Sequence, residues 1–120
     1  MKSSKNIVNL SKIIVNTLSK NKGFNVIKID LKNKSSIADS MIICSGTSNR
    51  HIISLANYLY KELKELGLKT LSSEGKKAGD WIVIDAGDVI VHIFREEVRE
   101  YYNLEKMWDE IMNDVIKVNK

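Results

Sequence analysis

The sequence predicts an α/β protein with a mixed sheet of about five strands flanked by helices. Some stretches repeat apolar residues at three- and four-residue steps, the spacing of amphipathic helices. Others are short runs rich in β-branched residues, which are typical of strands. Helices and strands alternate in the first half, and the strands cluster in the second. This order favours a sheet with at least one antiparallel hairpin and helices packed against it.

A single domain is predicted for residues 1–120. A chain of 120 residues with 43% apolar and 28% charged side chains can bury one hydrophobic core. It contains no proline, no Gly/Ser linker and no internal repeat that would mark a boundary.

Three helices are predicted from apolar stripes. The first covers Ser4 to Ser19, and the second runs from an N-cap at Ser48 to Gly67, a residue type common just after a helix. Asn103 is predicted to cap the third. The stripes consist of Ile7, Leu10, Ile14 and Leu18 in the first helix, Ile52, Leu55, Leu59, Leu63 and Leu66 in the second, and Leu104, Trp108, Ile111, Val115 and Val118 in the third.

Strands are predicted between these helices. Ser40 to Ser45 is nearly all apolar, the pattern of a central strand covered on both faces. Two further strands form a hairpin around Ala86-Gly87. The other predicted strands are Phe24 to Leu31 and a short one at Leu68 to Leu71, and the hairpin strands are Trp81 to Asp85 and Val89 to Phe94.

The charge is divided unevenly along the chain. Residues 1–34 hold eight lysines and one acid, whereas residues 74–114 hold eleven acids and five bases. The basic segment suits phosphate, and the acidic segment suits a basic protein surface. Solvated faces without a partner explain the same distribution equally well.

The apolar runs are far shorter than the roughly 20 residues that span a bilayer. The segment after the basic N-terminus lacks the uninterrupted apolar core of a signal peptide. Cys44 has no second cysteine to pair with, which fits a reducing compartment. A cytoplasmic protein without membrane contact is therefore expected, and Cys44 is expected to be a buried, inert thiol.

Two stretches with recognisable motifs together span most of the chain. Lys34 to His51 combines a strand, a Ser-Gly turn and the start of a following helix. Glu74 to Trp108 contains, in order, Glu-Gly, Trp, Asp-x-Gly-Asp and Val-x-Val-His-x-Phe. The joint occurrence of these motifs is specific, and with them the chain resembles the Iojap/RsfS family of ribosomal silencing factors.

The resemblance implies a fold with nucleotidyltransferase-like topology and a function without catalysis. It implies binding to the large ribosomal subunit through ribosomal protein L-fourteen, steric exclusion of the small subunit and repression of translation. No cofactor and no metal are expected. Auxiliary contact with ribosomal RNA and a homodimer of the free chain stay open.

The expected partner surface lies on the predicted hairpin. Its candidate residues are Trp81, Val83, Asp85, Ala86, Asp88 and His92. Trp81 is either an exposed hot spot or an anchor of the core, since tryptophan serves both purposes. Asp85 and Asp88 flank the turn and are expected to stabilise it, while their charge also suits a basic partner. His92, alone among apolar residues, is expected to be a hydrogen-bonded structural residue.

The alternative is a nucleotidyltransferase-related nucleotide- or RNA-binding protein. Ser45-Gly46 before a helix would offer amide donors to a phosphate. However, two-metal phosphoryl transfer needs clustered carboxylates, and the next acid after this turn is Glu62, inside the predicted helix. One cysteine and two distant histidines form no zinc pattern. No aromatic and basic signature of an RNA-recognition strand is present.

Overall fold

The computed structural model describes residues 2–31, 38–68, 72–74, 80–103 and 106. In chain order, these residues form α1 (Lys2–Lys20), β1 (Phe24–Asp30), β2 (Ser40–Gly46), α2 (Asn49–Glu65), β3 (Ser72–Glu74), β4 (Trp81–Asp85), β5 (Val89–Arg95) and α3 (Glu96–Tyr102).

The strands form one mixed sheet in the order β1-β2-β5-β4-β3. Only β2 and β5 are parallel, and the other neighbours pair antiparallel. Four strands of five to seven residues make the body of the sheet, and the three-residue β3 extends it at one edge. The predicted α/β class with a mixed sheet and flanking helices is confirmed.

The first face of the sheet is covered by α1 and α2. These helices direct their apolar stripes at alternate residues of β2, β4 and β5, which makes one large buried cluster. The stripe of α1 confirms the predicted first helix, and every residue of β2 is buried, as predicted for a central strand. The cluster includes Leu10, Ile14, Leu18, Ile42, Cys44, Ile52, Leu55, Leu59, Leu63, Ile82, Ile84, Val91 and Ile93.

The second face holds a smaller apolar cluster. Its buried members are Leu31, Met41, Ile43 and Phe94, and Trp81 and Val98 pack against them. Val98 belongs to α3, so helices lie on both faces of the sheet. Because successive strand residues point to opposite faces, the strand side chains that alternate with those of the first cluster point to this second face.

The predicted hairpin and second helix are confirmed. Strands β4 and β5 pair from Trp81 opposite Phe94 to Asp85 opposite Ile90. Ser48 is the N-cap of α2, and its side-chain oxygen accepts a hydrogen bond from the backbone N–H of His51. Gly67, just beyond the helix, has a φ of 77°, the left-handed conformation that glycine adopts without strain.

Two boundary predictions were wrong. Asn103 ends α3 and lacks the extended backbone of an N-cap: it has left-handed backbone angles and its N–H bonds to the carbonyl of Arg99. Lys106, within the predicted third helix, is helical. Asparagine is favoured at helix starts and tolerates the left-handed conformation at helix ends, and the sequence pattern did not separate these roles. Leu68 is not in a strand; the short strand begins at Ser72. Residues 69–71 and most of the predicted third helix lie outside the described residues.

The cap of α2 provides a test of this local structure. Replacing Ser48 with alanine removes the acceptor for the His51 N–H, and we expect the free energy of unfolding to fall by about 1 kcal/mol. Ser48→Asp, which keeps an acceptor, is expected to retain most of the stability. Urea unfolding followed by circular dichroism measures both variants, and an unchanged midpoint in Ser48→Ala would contradict the role of this cap.

Candidate functional site

One face of the β4–β5 hairpin collects most of the predicted partner-binding side chains. In β4, Ile82 and Ile84 are fully buried against the helices, whereas Trp81, Val83 and Asp85 alternate with them and are half-buried. Val83 lies opposite His92 in the antiparallel register. The period of two therefore brings Trp81, Val83, Asp85 and His92 to the second face.

The indole of Trp81 is held in one orientation. Its Nε1–H donates a hydrogen bond to Nδ1 of His92 at 3.0 Å. Its ring stacks on Phe94 with centroids 4.8 Å apart and an interplanar angle of 28°. Trp81 thus packs against the smaller cluster, as an anchor of the core would, and it also keeps part of its surface accessible.

His92 is neutral at physiological pH. Burial lowers the pKa of its imidazole to about 4. Only the neutral ring has a nitrogen that can accept the indole N–H, so the hydrogen bond and the low pKa are consistent. The expectation of a hydrogen-bonded structural histidine is confirmed.

The hairpin turn holds the remaining candidate residues. The Asp85 carboxylate accepts a hydrogen bond from the Gly87 N–H at 2.9 Å, which confirms its expected turn role. Gly87 has a φ of 91°, where a side chain would be strained. Ala86 packs against the large cluster of the first face. The side chain of Asp88 is exposed. The backbone carbonyl of Asp88 accepts hydrogen bonds from the backbone N–H groups of Asp39 and Ser40.

Helix α3, which the sequence pattern did not predict, completes one side of this face. A cavity of about 280 Å³ lies between it and the start of β4. Arg95 holds two carboxylates nearby, Asp80 at 3.0 Å and Glu97 at 3.1 Å. The acids Glu96 and Glu97, typical of a helical first turn, were the available signal for α3. The cavity is lined by Asp80, Trp81, Glu97, Val98 and Tyr101.

Arg99 is a buried arginine that sequence reasoning also missed. It is 6% exposed, and its Nη1 donates to the Ser45 hydroxyl and to the carbonyl of Asn25, each at 2.6 Å. Asn25 has a φ of 50° and lies where the register between β1 and β2 shifts. Arg99 therefore connects α3 to the bulge in β1 and to the end of β2. No periodic pattern distinguishes it from the exposed charges beside it.

Ser45 and Gly46, predicted to form a turn, are the last residues of β2, and groups of the chain itself occupy the segment that follows them. The Thr47 N–H donates to Nδ1 of His51 at 3.0 Å, and Nε2 of the same imidazole bonds to the Asn21 carbonyl at 3.0 Å. A Cβ on Gly46 would lie 2.9 Å from the Ile52 side chain. These contacts connect the end of α1 to the start of α2 and use donors that a phosphate would need.

Cys44 is buried within the large cluster, and burial raises the pKa of its thiol to about 12. A thiol with so high a pKa is not a nucleophile near neutral pH, which agrees with the expected inert role. Within the described part of the chain, no group of three or more His, Cys, Asp or Glu side chains is arranged to hold a metal ion. No described helix is long and apolar enough to cross a membrane.

Comparison with known proteins identifies relatives over most of the chain. Residues 4–120 match the family described as "Ribosomal silencing factor during starvation". The chain is 46% identical over 99 residues to the ribosomal silencing factor RsfS of Haemophilus influenzae. This match covers 82% of the chain and 97% of the relative. It is also 33% identical over 99 residues to a mouse protein named mitochondrial assembly of ribosomal large subunit protein 1, covering 80% of this chain and 43% of the relative.

A solved structure from Chromobacterium violaceum has the same fold. It superposes with a TM-score of 0.83 at 39% identity, covering 86% of each chain.

The low pKa of His92 makes stability depend on pH. In the unfolded chain His92 binds a proton near pH 6.5, whereas in the folded chain it does so only near pH 4. The contribution of neutral His92 to the free energy of unfolding is therefore fully present above pH 6.5 and is lost as the pH falls toward 4. Between pH 7 and 4.5 we expect His92 to account for a loss of about 2 kcal/mol. Urea unfolding at both pH values, compared with His92→Gln, measures this contribution. Equal pH dependence in the two proteins would contradict it.

Proposed function

The chain belongs to the family of ribosomal silencing factors, and we propose that it binds the large ribosomal subunit through ribosomal protein L-fourteen. Bound there, it blocks association with the small subunit by its bulk and represses translation. The observation that carries the proposal is the second face of the hairpin, where an oriented, partly accessible indole lies beside carboxylates.

The aromatic part of this face suits protein recognition. Tryptophan buries a large area with few rotatable bonds, and such residues supply much of the binding energy in protein interfaces. Trp81 is already immobilised by His92 and Phe94 in the free chain. Binding therefore costs little additional side-chain entropy at this position.

The charges of the same region favour a basic partner. Residues 74–114 carry a net charge of −6. Near the hairpin, Asp80 and Glu97 share the single guanidinium of Arg95, and Asp88 is exposed at the turn. Neutral His92 does not offset these carboxylates. A ribosomal protein surface rich in lysine and arginine complements this distribution.

A steric mechanism needs only binding at the subunit interface. Members of the family are regulatory proteins that have the ribosome as their partner. The name of the mouse relative refers to the large ribosomal subunit, which supports that subunit as the partner. A folded chain held on this surface excludes the small subunit by volume. We place this activity in the cytoplasm, where subunits join.

The nucleotide-binding alternative receives no support from the turn after β2. Its Thr47 amide and Ser45 hydroxyl already bond within the chain. Auxiliary RNA contact would use the basic α1, where Lys12 and Lys20 are exposed. Because α1 covers the first face of the sheet, that contact would lie on the side opposite Trp81.

Removal of the indole tests the proposed surface. Trp81→Ala is expected to weaken binding to isolated large subunits at least tenfold, because it removes the oriented aromatic contact. Cosedimentation with purified large subunits measures the loss. Val83→Arg, which adds bulk and positive charge on the same face, is expected to have a comparable effect.

Tyr58 provides the matched control, since it is an aromatic residue of α2 that is 51% exposed. Tyr58→Ala is expected to bind like the unchanged protein, and circular dichroism verifies folding of all three variants. Full-strength binding by folded Trp81→Ala and Val83→Arg would show that the partner surface is elsewhere. Normal subunit joining in the presence of saturating unchanged protein would refute the blocking mechanism.

The nucleotide alternative has its own test. We expect no binding of Mg²⁺ with ATP, and therefore no change in the unfolding temperature of the chain. Binding to the folded state would raise that temperature by mass action. A concentration-dependent rise in a thermal-shift assay would instead support a nucleotide site.

A further inference from the structure

We propose that the cavity between β4 and α3 receives one arginine side chain of the basic partner protein. This inference rests on the proposed function and identifies a specific subsite within its surface. The cavity is bounded by the side chains of Trp81, Val98 and Tyr101, with Asp80 and Glu97 also in its lining.

The size of the cavity fits a side chain. Its volume of about 280 Å³ is just below the range of roughly 300 to 1,000 Å³ typical of small-molecule pockets. Trp81 is fixed by its hydrogen bond to His92, and Tyr101 is 82% exposed, so aromatic surface is available at the opening. A long, partly apolar side chain can fill this space without rearrangement of the sheet.

The carboxylates define the charge of the occupant. Asp80 and Glu97 are 48% and 75% exposed, and both bond to Arg95. Arg95 approaches Oδ1 of Asp80 and Oε2 of Glu97. One guanidinium balances only one of the two negative charges. Counted over the described residues, the site therefore retains a net negative charge beside aromatic surface and attracts a cation.

Arginine matches this combination better than lysine. Its planar guanidinium stacks on the faces of tryptophan and tyrosine and also forms directed hydrogen bonds to carboxylates. Lysine supplies a more strongly hydrated point charge, which loses more solvation when it contacts an aromatic wall.

Another cavity of similar size shows why this one is distinctive. The second cavity, between α1 and α2, has about 290 Å³ and is lined by the acids Glu62 and Glu65 and the aromatic Tyr58. However, Lys20 and Lys61 line it as well, so its two acids are matched by two cations. Among the described residues, no base lines the cavity next to Trp81, and its two acids share one cation, Arg95.

Charge reversal at the rim tests the subsite. Glu97→Lys is expected to weaken binding to isolated large subunits about tenfold, and the milder Asp80→Asn about threefold, since exposed charge pairs contribute modestly. Cosedimentation over a range of protein concentrations measures both. The loss in Glu97→Lys is expected to shrink at high salt, because added ions screen exposed charges.

Glu65→Lys in the other cavity is the matched control, with the same change in net charge, and is expected to bind within about twofold of the unchanged protein. If the unchanged protein fails to bind, the proposed function is wrong. If it binds and Glu97→Lys binds equally well, or no worse than Glu65→Lys, only the arginine subsite is wrong. If Glu97→Lys alters self-association in sedimentation velocity but leaves subunit binding intact, the occupant is a second copy and the proposal is overturned.

Discussion

The parallel pairing of β2 with β5 is the constraint on which the rest of the structure depends. It places Ile43 beside His92 and Cys44 beside Ile93 at the centre of the sheet. A parallel pair requires a long connection, and α2 with the β3–β4 segment provides it. Once β5 is fixed in this way, the hairpin fixes β4, and the alternation of side chains determines which residues meet the helices and which form the second face.

The two faces of the sheet consequently have different physical properties. The first is closed by α1 and α2 over a large apolar cluster, and α1 contains no acidic residue. Of the described helices, α3 alone packs on the second, which combines aromatic rings with carboxylates. Neutral His92 is central to this difference, because it lets the indole form a hydrogen bond without adding positive charge to an acidic region. A surface with aromatic rings and carboxylates and a basic surface thus lie on opposite sides of one small sheet.

The sequence predicted the elements that have clear periodicity. The apolar stripe and Ser48 cap identified α2, and the turn residues identified the hairpin. The Trp81–His92 hydrogen bond was not predictable, since it depends on the register between two strands. Helix α3 is only seven residues long and contains a single aliphatic residue, Val98, so no stripe could reveal it. Its absence from the prediction also concealed the cavity beside Trp81.

The bulge at Asn25 affects how the sheet edge behaves. An exposed strand edge ordinarily offers a row of unpaired backbone groups to which another chain can add. The left-handed residue bends β1 near its start, and the Asn25 carbonyl is engaged by Arg99. Further along, Lys28 and Asp30 carry charge on the same strand. Irregular backbone and charge oppose the addition of a neighbouring strand, which protects the chain against edge-to-edge aggregation at high concentration.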